Sequence, residues 1–282
     1  MKRPSHLFLA AAALAMLPSA LALAADYDPP IYIDQAPEYV PVEIGSGWYL
    51  RGDVGYNLSV DSSDFKYRSY DPLNATYSPY DSFSSVGLGE GLTYGIGFGY
   101  HFNDLVRADL TLDGFRSSFD GSIDGADPCA GGIAGTGCRV DSGAEATVTS
   151  LMANGYVDLG TVSGFTPYVG AGAGMAHVDW SSARNDFYCV DGTAACGGGL
   201  VGTTRHPGES DWRFAYALMA GVAVDVTNNL KVDVGYRYRK IEGGDAAGWD
   251  DVSAEAGATG AQARDGGFDT HEVRVGLRYD LW

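Results

Sequence analysis

Bulky apolar residues alternate with small or charged ones in eight stretches of this chain. They lie near residues 48–60, 91–102, 105–119, 146–159, 165–180, 212–226, 230–241 and 271–282. A period of two marks β-strands. The connections between them alternate in length. Segments 61–90, 120–145, 181–211 and 242–270 each hold about thirty residues, whereas Asn103-Asp104, 160–164 and Thr227-Asn228-Asn229 hold two to five. An even set of antiparallel strands, with long loops at one end and tight turns at the other, is the layout of an outer-membrane barrel. The expected fold is all-β: an eight-stranded antiparallel up-and-down transmembrane β-barrel with four long extracellular loops.

Alternation alone does not say which face is inside. In 91–102, Leu92, Tyr94, Ile96, Phe98, Tyr100 and Phe102 share one face, against Thr93, Gly95, Gly97, Gly99 and His101. In 271–282, Val273, Val275, Leu277, Tyr279 and Leu281 oppose Glu272, Arg274, Gly276, Arg278 and Asp280. A soluble barrel would turn a row of glycines to water; a membrane barrel turns the bulky row to lipid and the small or charged row to the lumen. In 165–180 the contrast is weak: Val169, Ala171, Ala173 and Met175 face Tyr168, Gly170, Gly172 and Gly174.

The lumen row then carries eight basic residues (Arg51, Arg107, Arg213, Lys231, Arg237, Arg239, Arg274 and Arg278). It carries eight acidic ones (Asp53, Asp109, Asp113, Asp158, Asp225, Asp233, Glu272 and Asp280). The lipid row through the strand centres has no charge, as expected where Arg or Lys costs about 2–4 kcal/mol at the bilayer midplane. Balanced charge in a narrow interior predicts an ion-pair network, because unpaired buried charge is costly. Trp48, Phe102, Phe165, Trp180, Trp212, Phe214, Tyr238 and Tyr279 fall near strand ends and fit two interfacial girdles.

The N-terminus reads as an export signal over residues 1–24. Lys2 and Arg3 precede an apolar run from Leu7 to Leu17, and Ala22-Leu23-Ala24 suits cleavage before Ala25. Residues 25–47 are Pro-rich and acidic and are expected to form a periplasmic lead-in, or alternatively a plug entering the lumen. Residues 48–282 form the barrel domain. The chain carries a net charge of −18. With the lumen row neutral, the excess falls on the loop regions and the lead-in. Such a surface repels nucleic acid and other polyanions, and would meet anionic lipopolysaccharide through bridging divalent cations.

Four cysteines lie in two long loops, Cys129 and Cys138 in the second, Cys189 and Cys196 in the third. Export to an oxidising compartment predicts disulfides. Three connectivities are open; local pairing, Cys129–Cys138 and Cys189–Cys196, is expected, with a zinc site as the rival. No metal site is assigned: the spacings match no standard zinc motif. Asp120-Gly121-Ser122-Ile123-Asp124-Gly125 copies only the first half of a calcium loop. Gly95-x-Gly97-x-Gly99 and Gly170-x-Gly172-x-Gly174 lie inside strands and suit space beside long side chains better than phosphate binding. His271-Glu272 lacks the second histidine of a zinc protease, and no nucleophile elbow occurs. No catalytic residue and no cofactor are expected.

The chain resembles the small eight-stranded outer-membrane barrels of the OmpA-like and opacity-protein superfamily, in the alphaproteobacterial surface-antigen branch. The resemblance rests on Gly47-Trp48-Tyr49-Leu50-Arg51-Gly52-Asp53-Val54-Gly55-Tyr56, Pro167-Tyr168-Val169-Gly170-Ala171-Gly172-Ala173-Gly174 and Val273-Arg274-Val275-Gly276-Leu277-Arg278-Tyr279. It implies a terminal strand read by the barrel-assembly machinery. Here Tyr279 and Leu281 hold the lipid-facing register and Trp282 follows, a departure from the usual terminal aromatic. It also implies a cell outer-membrane location, contact with outer-membrane lipid and lipopolysaccharide, and a non-enzymatic structural, surface-antigen or adhesin role. A host or surface ligand would then meet the loops. The alternative is a narrow small-solute channel.

Overall fold

The computed structural model describes residues 47–62, 64–129 and 131–281. The expected export signal, 1–24, and all but the last residue of the expected lead-in, 25–47, lie outside the described residues. Eight long strands run in chain order: β1 Trp48–Asp61, β2 Leu92–His101, β3 Val106–Gly125 and β4 Gly137–Asp158, then β5 Phe165–Trp180, β6 Ser210–Asp225, β7 Leu230–Ala247 and β8 Ala263–Asp280. Each pairs antiparallel with its chain neighbours, and β8 returns to β1 through a ladder from Tyr49↔Asp280 to Asp61↔Asp269. The ring closes, so the sheet has no open edge within the bilayer, where an unpaired backbone group would find no water.

Side-chain accessibility separates the two faces as the alternation requires. Ile96, Val54, Leu218, Val275 and Leu277 are all at least half exposed, whereas Arg51, Asp113 and Arg278 are buried. The outward rows are uncharged from the periplasmic turns up to Arg116 on β3, Lys240 on β7 and Asp269 on β8. That band is about ten residues tall, the length a tilted strand needs to cross the hydrocarbon. The ambiguous fifth strand resolves: Tyr168, Ala176 and Val178 are buried inward, while Val169 and Met175 face out. Trp180 shares the inward parity and is 3 % exposed, so it is not part of the outer girdle. Trp48, Phe102, Phe165, Trp212, Phe214 and Tyr279 do point outward.

Two expected loops are largely strand. β3 and β4 stay paired from Val106↔Val157 up to Gly125↔Cys138, so only residues 126–136 connect them. The same holds for β7 and β8, paired up to Ala247↔Ala263, with a short helix α1 (Asp251–Glu255) in the connection. Asp250 caps α1, its carboxylate accepting from the Ser253 backbone N–H. Asp120–Gly125 is therefore regular strand, not a calcium loop. Its alternation continues in Ser, Gly and Asp rather than in large apolar residues, which hid it.

The remaining long connections add short strands to these extensions. Lys66–Tyr67 pairs with the start of β8, and Ser85–Leu88 pairs with β3 at Phe119–Ser122. Ala183–Val190 pairs with β4 at Gly137–Gly143 and with Leu200–His206. The result is an ordered extracellular head continuous with the barrel wall. Gly267, at φ +90°, sits where a Cβ would strike the Ile241 carbonyl, so the β7–β8 extension needs glycine there.

Candidate functional site

The interior divides into two layers. The lower one is charged. Seven arginines and seven carboxylates are buried among the described residues, all but Arg213 and Asp265 in this lower layer: Arg51, Arg107, Arg213, Arg237, Arg239, Arg274 and Arg278 against Asp53, Asp109, Asp113, Asp158, Asp233, Asp265 and Glu272. Thirteen of these lie on the expected lumen row; Asp265 does not.

Arg51 forks onto Asp53 through Nε (2.9 Å) and Nη2 (2.8 Å), and its Nη1 reaches Asp109 at 2.7 Å and Tyr156 Oη at 3.0 Å. Asp53 also accepts Arg274 Nη2 at 2.7 Å. On the other side, Arg237 donates to Asp113 from Nη1 (3.2 Å) and Nη2 (3.0 Å) and to Glu272 from Nε (2.8 Å). Arg239 donates to the same Asp113, and Thr93 Oγ1 donates to Glu272 Oε1 at 2.8 Å. Arg107 pairs with Asp158 at 3.1 Å and lies 4.0 Å above the Tyr156 ring. Arg278 is 3.7 Å from Asp233 and 5.5 Å above the Tyr49 ring. Bidentate arginine–carboxylate geometry and cation–π stacking are the arrangements in which guanidinium charge is best held away from water.

Several of these contacts cross the lumen rather than follow a wall. β7 and β3 are opposite in the ring, so Arg237–Asp113 spans the bore. Arg51–Tyr156 links β1 to β4, and Arg107 lies 4.9 Å over Tyr168 on β5. The strand glycines make room: a Cβ at Gly99 would fall within the Tyr49 ring, and one at Gly97 would come within 3.2 Å of Arg51 Cγ.

Three expected members sit elsewhere. Lys231 and Asp225 pair at 2.5 Å, partly exposed at the periplasmic rim, and Asp280 stands 3.4 Å from His101 at the same end. They sit at the mouth rather than join the buried network, because both strand ends meet water there. Arg213 lies at the opposite end. It donates to Asp265 at 2.6 Å and Asp211 at 2.6 Å, and Trp180 Nε1 donates to Asp265 at 3.0 Å.

The upper layer is apolar. From Phe115, Val148, Ala176, Ala215, Ile241 and Phe268 upward, the inward rows switch from charge to hydrocarbon, apart from the Arg213–Asp265 pair. Phe65, from the first long connection, drops into this layer at 5 % exposure and stacks on Phe119 at 4.2 Å. Trp180 stacks on Phe268 at 5.8 Å, and Phe115 meets Phe268 edge-on at 6.3 Å. Aromatic pairs of this kind add to the burial of their area. The signal for this layer was legible in one place only, where Phe115 and Phe119 continue the Asp109–Asp113 parity.

At the tip, Cys129 is bonded to Cys138 and Cys189 to Cys196. The two bridges are neighbours, because Cys138 and Cys189 stand opposite each other in the ladder. Tyr279 faces outward and Leu281 follows the end of β8, its N–H donating to the Trp48 carbonyl at 3.0 Å. Trp282 lies outside the described residues. No group of three or more metal-ligating side chains occurs among the described residues.

A closed antiparallel ring with an uncharged outward band, a charged interior and a tall head at one end defines an outer-membrane β-barrel. Residues 9–280 match the family described as outer membrane protein beta-barrel domain, and the chain belongs to that family; it resides in the outer membrane. An uncharacterized protein of Brucella abortus (strain 2308) is 40% identical over 267 residues, spanning 86% of this chain and 88% of the relative. A Rickettsia felis protein named as a candidate adhesin is 26% identical over 246 residues, spanning 85% and 90%. Among solved structures, the outer membrane protein OprG of Pseudomonas aeruginosa matches at 16% identity and a TM-score of 0.44, covering 84% of this chain and 96% of OprG. Neisserial surface protein A matches at 18% identity and a TM-score of 0.40, covering 84% and 98%.

Proposed function

We propose that this is a non-enzymatic surface protein whose work is done by its extracellular head, as an adhesin or surface antigen, with the barrel as a sealed anchor. The observation that carries this reading is the cross-lumen fork of Arg237 on Asp113, roofed by the apolar layer at Phe115 and Phe268. Side chains that bridge opposite walls occupy the path a solute would take. An eight-stranded barrel is just wide enough for its side chains to fill. The head, by contrast, is built to persist: paired strands extend from the wall and two disulfides tie its tip. The Rickettsia relative named for adhesion supports the same reading.

Residues 1–24 serve as the export signal and 25–47 as the periplasmic lead-in. Tyr279, Leu281 and Trp282 present the terminal strand to the assembly machinery. Lipopolysaccharide surrounds the outer rim, bridged by divalent cations where the rim is acidic, and a ligand on another surface meets the tip.

The test is adherence of a laboratory Gram-negative host displaying the protein. Replacing residues 126–136 and 191–199 with short Gly-Ser turns should abolish adherence while the folded barrel still migrates faster than the boiled protein on gels. Full adherence without the two tips, or none with them, would overturn the adhesive reading.

A further inference from the structure

All four extracellular segments converge on one cavity of about 60 Å³ at the top of the apolar layer. At roughly 10–15 Å³ per water by this measure, it holds about as much as a single six-membered ring. Its walls are aromatic, with Phe65, Phe83, Phe119 and Trp180 edge-on or stacked on one another. Small residues, Ala144 and Ala246 among them, leave the space open. Among the described residues no Asp, Glu, Lys or Arg lines it, in a chain of net charge −18.

Two polar atoms of the wall have no partner among the described residues, Ser142 Oγ and His206 Nδ1. Ser142 lies on the inward row of β4 above Ala144, is 6 % exposed, and its Oγ makes no hydrogen bond among the described residues. A buried hydroxyl left unpaired is costly, and a ligand hydroxyl would relieve it. His206 also lines the cavity, with Nε2 3.2 Å from Thr204 Oγ1. Burial holds its imidazole below the ordinary histidine range, so it adds no charge at neutral pH.

We propose that this cavity binds a neutral single-ring aromatic molecule bearing one hydroxyl, a phenol in chemical class. The ring lies among Phe65, Phe119 and Trp180 and its hydroxyl meets Ser142 Oγ. Van der Waals contact that the cavity walls lack on one side is recovered by the ring, and edge-to-face geometry suits an aromatic guest better than an alkyl chain. The absence of a charged wall excludes carboxylates and amines, whose desolvation nothing there would offset. This inference is independent of the adhesive reading; a small-molecule site in the head and a macromolecular ligand at its tip need not share residues.

The experiment is ¹⁹F NMR of 4-fluorophenol, fluorobenzene and 4-fluorobenzoate with the full chain refolded in lipid nanodiscs, empty nanodiscs serving as the baseline. Saturable 4-fluorophenol binding is expected, with fluorobenzene about tenfold weaker and 4-fluorobenzoate absent. Ala144→Leu, which fills the cavity from its half-buried edge, should abolish binding, and Ser142→Ala should reduce 4-fluorophenol to the fluorobenzene level. Both variants are checked for folding by gel mobility. No saturable binding, or equal binding in folded Ala144→Leu, would overturn the site. Equal binding of 4-fluorophenol to Ser142→Ala and the native protein would overturn the role of the hydroxyl.

Discussion

Arg237 on β7 grips Asp113 on the opposite strand β3 with both terminal nitrogens, at 3.0 and 3.2 Å, and so ties the two walls of the barrel together. Arg239 donates to the same carboxylate, and Glu272 takes the remaining face of Arg237. Asp113 thus contacts two buried guanidinium groups, with Glu272 sharing Arg237.

Asp113→Ala should destabilise the barrel by about 3–5 kcal/mol, because it leaves Arg237 and Arg239 buried with less opposing charge. Arg237→Met combined with Asp113→Ala should cost less than the sum of the two single effects. Urea unfolding in lipid, read as a double-mutant cycle, gives the coupling. Additive effects would mean the cross-lumen pair is not formed.

Ile96 is 66% exposed at the centre of the outward row of β2. Ile96→Arg should lower folding stability by about 2–4 kcal/mol in bilayers. A change within about 0.5 kcal/mol would place this row in water rather than lipid.

The ladder that sets Cys138 opposite Cys189 predicts a specific exchange. In Cys129→Ser, the freed Cys138 thiolate attacks the Cys189 sulfur, the Cys189–Cys196 bond breaks, and Cys196 leaves as a thiolate. Peptide mapping should recover a Cys138–Cys189 disulfide and a free Cys196. An intact Cys189–Cys196 bond beside a free Cys138 would contradict the register of the head.

His206 is buried in the head, and burial holds its pKa below the ordinary value near 6.5. Asp250 opposes that shift. The folded head therefore keeps the ring neutral while the unfolded chain takes up a proton as pH falls. Its contribution is full above about pH 6.5 and is lost on acidification below that. Hydrogen-exchange protection of 200–206 should fall between pH 7.5 and 5.5, after correction for intrinsic rates, and His206→Gln should flatten the dependence. Equal protection at both pH values would contradict burial of a neutral ring.

The barrel itself was legible because lipid demands strong contrast. Rows such as Val273, Val275, Leu277 and Tyr279 against Glu272, Arg274 and Arg278 can be read only one way once charge is placed inside. The head was not legible for the opposite reason. Above the bilayer the outward row meets water, so residues 117–125 and 137–145 are mostly Ser, Gly, Ala and Asp, with little contrast between the faces. A register shift between Asn57 and Ser59 reverses the parity of β1, which brings Val60 inward. Trp180 looked like a girdle residue by position, but its parity and its bond to Asp265 place it inside. Asp265, between Arg264 and two glycines, carried no alternation to mark it as the partner of Arg213. The disulfide pairing followed from loop proximity, yet nothing in the spacing indicated that the two bridges would be neighbours.

The central claim is that the lumen is sealed by cross-wall pairs beneath an apolar roof. Single-channel recording of the refolded protein in a planar bilayer tests it most directly. No reproducible current is expected from the native protein at either low or high salt. A steady, salt-dependent current would contradict the seal and turn Arg237, Asp113 and their neighbours into the lining of a pore.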